Sequence, residues 1–105
     1  MAKIDWHAGF VPTMKFEWDE EKNSYNKKKH GISFETAAYV FYDTYYIEIY
    51  DFKHSVTEDR YIAIGSVGDI LFVVFTERCD SIRIISARIA TDEERRLYYD
   101  QNIYY

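Results

Sequence analysis

Cysteine occurs once, at Cys79, in a chain of 105 residues that also holds one proline and four glycines. A lone cysteine excludes an internal disulfide and, without partners, a thiolate metal site, so a reducing cytoplasm is expected. No apolar run approaches the roughly 20 residues needed to span a bilayer. The N-terminus lacks the basic-then-apolar design of a secretion signal, so no membrane role is expected. Gly-rich phosphate loops, paired-histidine metal motifs and nucleophile elbows are missing too, and neither cofactor nor metal is expected. Arginine is absent from the first half; every one lies at or after Arg60.

What the chain has instead is aromatic and acidic. Phe, Tyr and Trp make up 19% of it, and the net charge is −5. An acidic balance argues against nonspecific nucleic-acid binding. The basic residues are nevertheless clustered, with Lys22, Lys27, Lys28 and Lys29 close together, so a local basic patch on an acidic protein is expected. The length suits one domain with a single modest core.

The organising stretch runs from Ile70 to Arg88 and reads as two strands joined by a turn at Asp80-Ser81. Apolar residues fall on both parities, as in a central hairpin covered on both faces. Glu77, Arg78, Arg83 and Arg88 interrupt it. A buried strand accepts such residues only when they are paired or when its end opens onto a functional surface.

Taken in order, residues 1–13 read as a loose extension closed by Pro12, with the domain spanning 14–105. Lys15 to Trp18 is a short β-like run. Asp19 caps a helix with acidic residues in its first turn and Lys27 to His30 in its last, stopped by Gly31. Lys22, Asn26 and Lys29 share one face of it, read either as a solvated surface or as a phosphate stripe. Ser33 caps a second helix, where Phe34, Ala37, Ala38 and Phe41 form a narrow apolar stripe. Tyr45 to Phe52 and Glu58 to Val67 read as strands. A Gly68-Asp69 turn would pair Val67 with Ile70 and set Arg60 opposite Glu77 and Asp59 opposite Arg78. His54 falls in the polar loop between these strands and reads as incidental. Thr91 and Glu94 form a capping box for a final helix. The order is a short strand, two helices, a four-strand antiparallel meander and a C-terminal helix, an α+β domain.

The blocks FEWDEEKNSYNKKKHGISFETAAYVF, EDRYIAIG, TERCDSIRIISARIAT and DEERRLYY together resemble the BrnT toxins of bacterial type II toxin–antitoxin systems, over about Lys15 to Tyr99. The resemblance implies a RelE-like fold, ribonuclease activity that arrests growth, and a BrnA-like antitoxin with a ribbon-helix-helix domain. Operator DNA would be reached only through that antitoxin, in a hetero-oligomer that represses its own operon. By position the resemblance puts Glu77, Arg78 and Arg88 in the active region and His30 at the histidine of the K-H-G block. Arg60 and Arg83 join them as RNA-binding candidates with Lys22 and Lys29.

The chemistry expected is metal-free cleavage of RNA by its own 2′-hydroxyl. Glu77 is the candidate base and His30 the candidate acid, since imidazole exchanges protons near neutrality. Arg78 and Arg88 would stabilise the phosphorane, each donor by roughly 2–4 kcal/mol. The register past Asp80-Ser81 stays open: a two-residue turn sets Arg83 beside Arg78, and a three-residue turn joins it to Arg60 and Glu77. A different class also stays open, a non-catalytic module that docks a DNA-binding partner.

Overall fold

A computed structural model describes residues 14–102, so the expected extension at 1–13 lies outside the described residues. Strand β1 (Lys15–Glu17) leads into α1 (Glu20–His30), α2 (Phe34–Ala38) and a 3-10 turn at Tyr39–Tyr42. Strands β2 (Ile47–Tyr50), β3 (Tyr61–Val67), β4 (Asp69–Arg78) and β5 (Ser81–Ile89) follow, and α3 (Asp92–Gln101) closes the chain. The sheet order is β1-β5-β4-β3-β2, with β1 parallel to β5 and the other pairs antiparallel. The expected α+β order holds, and the β4–β5 hairpin sits at the sheet centre.

Strand alternation separates the two faces. One carries Ala63, Leu71, Val73, Phe75, Ile84 and Ala87, all buried beneath Phe34, Ala37, Val40 and Phe41. Phe41 stands edge-on to Phe75 with ring centroids 4.9 Å apart. Burying side chains of this size contributes about 1.5–3 kcal/mol each, which makes this face the main source of stability. The expected stripe on the second helix is what packs here, although the helix tightens into the 3-10 turn after Ala38. Gly65 permits that approach, because a Cβ there would lie 2.8 Å from Val40 Cγ1 and 2.9 Å from the Cβ of Tyr46.

On the other face α3 lays Tyr98 over Ile64, Ile70 and Ala90. The Asp43 carboxylate accepts from the Tyr98 hydroxyl at 2.6 Å and from the Ser66 amide at 2.8 Å. Burial, and then the Asp43 carboxylate, push the Tyr98 phenol well above its ordinary range.

Helix α1 is polar throughout and is tied down by two buried asparagines. β1 pairs with β5 only over residues 81–83. Beyond it the edge of β5 would leave Ala87 without partners. The Asn26 amide fills the gap, donating to Ala87 O at 2.8 Å and accepting from Ala87 N at 3.2 Å. Asn23 accepts from the Phe34 amide at 2.8 Å and fixes the start of α2. The stripe of Lys22, Asn26 and Lys29 is therefore split, with both lysines exposed and the asparagine buried.

Three registers differ from expectation. The β4–β5 turn is Cys79-Asp80, one residue earlier, so Arg78 pairs with Ser81 and Arg83 with Thr76. The two-residue alternative holds for the face, since Arg83 opposite Thr76 shares a side with Arg78, but the two arginines are diagonal rather than directly opposite. The β3–β4 pairing is also shifted by one, with Val67 opposite Asp69 and Ser66 opposite Ile70. A left-handed Gly68 (φ 106°) makes that tighter turn. Finally, β5 holds an extra residue: Ile84 pairs with Phe75 but Ser86 with Val74, leaving Ile85 as a β-bulge. The strands read as Tyr45 to Phe52 and Glu58 to Val67 are shorter, because residues 51–60 form a loop.

Candidate functional site

α3 covers only one end of its face. The remainder has a floor of Ile49, Ile62, Phe72 and Val74, none of them buried. Charged residues rim it for reasons set by register. In β4, Phe75 points to the helical side, so Thr76 and Arg78 alternate towards opposite sides from it and Glu77 returns to Phe75's side. Arg83 pairs with Thr76, and Arg88 pairs with Phe72, so both face the open side. These two arginines are an odd number of positions apart in sequence. The bulge at Ile85 is what returns them to one face. Tyr61 stacks on Phe75 at 5.5 Å on the helical side. Alternation then directs Arg60 to the open side as well.

Each of these arginines meets a carboxylate of the same chain. Arg88 is held by Glu94 through two hydrogen bonds of 2.8 and 2.9 Å, with its guanidinium 3.9 Å over the Phe72 ring. Glu94 also closes the capping box of α3, accepting from Thr91 N at 2.9 Å. Its hydrogen bonds to Arg88 hold the Glu94 carboxyl below its usual range despite partial burial, and raise the guanidinium further. Arg83 donates to Glu17 of β1 at 2.7 Å. Glu58 lies between Arg78, at 3.3 Å, and Arg60, at 3.6 Å. The Arg60 Nε is buried and has no hydrogen-bond partner among the described residues.

The expected pairs of Arg60 with Glu77 and Asp59 with Arg78 are replaced. Glu58 takes both arginines, and Asp59 accepts from the Tyr50 hydroxyl at 2.8 Å. Glu77 pairs with Ile82 on the helical side, where its charge acts on Tyr46 and Tyr61. His30 ends α1, exposed, with no hydrogen bond or ion pair among the described residues. Lys22 is exposed, and Lys29 lies over the Tyr25 ring at 5.7 Å. The structure thus unites Arg60, Arg78, Arg83 and Arg88 and leaves Lys22, Lys29, His30 and Glu77 outside that face. Glu17, Glu58 and Phe72 were not singled out from sequence, and Glu94 was noticed only as a helix cap.

Among the described residues no group of three His, Cys, Asp or Glu could hold a metal ion. No helix among them is long and apolar enough to cross a membrane.

No curated protein matches the chain. Among solved structures the chain is similar to the Brucella abortus ribonuclease toxin BrnT, a 1.1 Å crystal structure, with 28% identity and a TM-score of 0.59. That match covers 76% of this chain and all of the Brucella one. The profile of the family described as the ribonuclease toxin BrnT of type II toxin–antitoxin systems matches residues 18–94. That span holds the whole sheet from β3 to β5, every arginine of the open face and the Glu94 that positions Arg88, and the chain belongs to the BrnT family of ribonuclease toxins.

Proposed function

We propose that this protein is a cytoplasmic endoribonuclease that cleaves RNA without metal on the open face of its sheet. The observation that carries the reading is that Arg60, Arg78, Arg83 and Arg88 lie on one face of the sheet, along the apolar floor of Ile49, Ile62, Phe72 and Val74. Guanidinium groups bind phosphate oxygens through paired donors, and an apolar floor accepts unstacked bases. RNA supplies its own nucleophile, so the protein must orient the strand, neutralise the phosphorane and move protons. That no three-ligand cluster occurs among the described residues fits chemistry carried by side chains alone.

Within this reading Arg60, Arg78 and Arg83, neighbours around Thr76, stabilise the phosphorane, while Arg88, four residues further along β4, holds a flanking phosphate. Lys22 and Lys29 extend the basic surface along α1. Glu77 and His30 lie off the arginine face, and no proton-transfer role is assigned to them. The paired carboxylates fit an enzyme that must be kept from nonspecific binding: a phosphate has to displace Glu17, Glu58 or Glu94 before it is gripped.

The same face suits an antitoxin of the BrnA-like ribbon-helix-helix kind. An acidic, amphipathic arm would lay apolar side chains on the floor and carboxylates on the rim, closing the site. The resulting complex would reach operator DNA through the antitoxin and repress its own operon.

The test is cleavage of single-stranded RNA by the purified chain in EDTA, alongside Arg88→Ala. Cleavage in EDTA by the parent, reduced tenfold or more in an Arg88→Ala chain that is still folded at the assay temperature, is the expected result. A strict need for a divalent ion overturns the metal-free chemistry. Full activity in Arg88→Ala removes the open face as the site.

A further inference from the structure

The loop at residues 51–60 looks like a simple connection, yet it carries an ordered histidine. Asp51 N donates to Arg60 O at 2.9 Å, extending the β2–β3 ladder past Tyr50 and Tyr61. Because Tyr61 faces the helical side, the added pair, Asp51 and Arg60, faces the open side. The Asp51 side chain is only 11% exposed, and its Oδ2 lies 2.9 Å from His54 Nδ1, whose ring is 60% exposed. The neighbouring Ser55 pins the loop, its Oγ donating to Asp51 O at 2.6 Å and accepting from Arg60 N at 2.8 Å. Glu58, from the same loop, reaches Arg60 and Arg78. An imidazole held through Nδ1 by a nearly buried carboxylate, its ring mostly exposed, therefore belongs to the loop that borders the arginine rim.

We propose that His54, positioned by Asp51, donates the proton that lets the 5′-oxygen leave when RNA is cleaved, an inference that rests on the ribonuclease reading above. The 2′-oxygen forms a bond to phosphorus as the bond from phosphorus to O5′ breaks. The 2′ proton is taken up by Glu58, the carboxylate on the same rim. The Nε2 proton of His54 passes to O5′, giving a 5′-hydroxyl and a cyclic 2′,3′-phosphate, and solvent restores both groups. Arg60, whose carbonyl accepts from Asp51 N and whose Nε has no partner among the described residues, joins this loop to the other arginines.

Single-turnover cleavage by the full chain tests this on two short RNAs that differ at one linkage. One is natural; the other carries sulfur in place of the bridging 5′-oxygen, and its thiolate leaves without protonation. His54→Gln should cleave natural RNA 10²–10⁴-fold more slowly, cleave the sulfur-linked RNA within about threefold of the parent, and bind RNA with unchanged affinity. Asp51→Asn should show a smaller loss with the same recovery. A His54→Gln chain that cleaves natural RNA at the parental rate overturns the proposal, as does one equally slow on both linkages. If the parent cleaves neither RNA, the ribonuclease reading itself falls.

Discussion

Cys79 adopts a left-handed backbone, φ 52°, at the first position of the two-residue turn between β4 and β5. A residue with a Cβ is strained there by about 1–2 kcal/mol, and glycine is not. Cys79→Gly should raise the urea midpoint by an amount worth roughly 1 kcal/mol, with an unchanged slope. A lower midpoint would mean that the cysteine side chain contributes something the backbone argument misses. Arg83 offers a second residue-scale test. Its pair with Glu17 is partly exposed and contributes less than about 1 kcal/mol to stability, but under the proposed function RNA would have to break it. Glu17→Gln should therefore tighten RNA binding a few-fold in a titration with a non-cleavable 2′-deoxy strand. The arginines were legible in the sequence as charges interrupting apolar strands. Their partners were not, because Glu17 lies 66 positions from Arg83 and Glu58 lies 20 from Arg78.

Elements were legible where a local rule sets them. The Asp19 and Thr91 caps, the Gly31 stop and the apolar stripe of α2 each follow from chemistry within one or two helical turns. α1 shows the limit of that rule. Its face is chosen by Asn23 and Asn26, polar residues that mark no periodicity, so the sequence pointed to the lysines. Asn26→Ala should cost at least 2 kcal/mol in denaturant unfolding, since it orphans the Ala87 amide and carbonyl at about 1–3 kcal/mol per group. α3 has a pH dependence. Glu94 is held below its ordinary value of 4.5, chiefly by hydrogen bonds from Arg88. A depressed carboxylate stabilises the fold above its unfolded value, and that contribution fades as pH falls through the lowered one. Stability should then decline below about pH 4.5 and less so in Glu94→Gln, as followed by thermal melts across that range. Identical pH profiles would assign the acid sensitivity to other carboxylates.

At the scale of the whole molecule, an acidic protein with a net charge of −5 gathers its sheet arginines on one face. Single-stranded nucleic acid loses affinity with salt at a slope near −0.7 per neutralised phosphate. Removing Arg60, Arg83 or Arg88 should each flatten that slope by about 0.7, as measured from RNA affinity over a range of salt; an unchanged slope would place the RNA elsewhere. Which arginines share a face was not legible, because three one-residue events decide it: the turn at Cys79-Asp80, the tight turn at Gly68 and the bulge at Ile85. Alternation read through β5 without that bulge separates Arg83 from Arg88. The bulge has a genetic consequence. An in-frame loss of the single codon for Ile85 would invert the sidedness of β5 from Ser86 onward, turning Arg88 under the helices and Ala87 out from Asn26. In a growth-based screen such a deletion should score as a null allele, while Ile85→Ala, which keeps the count of residues, should still arrest the cell.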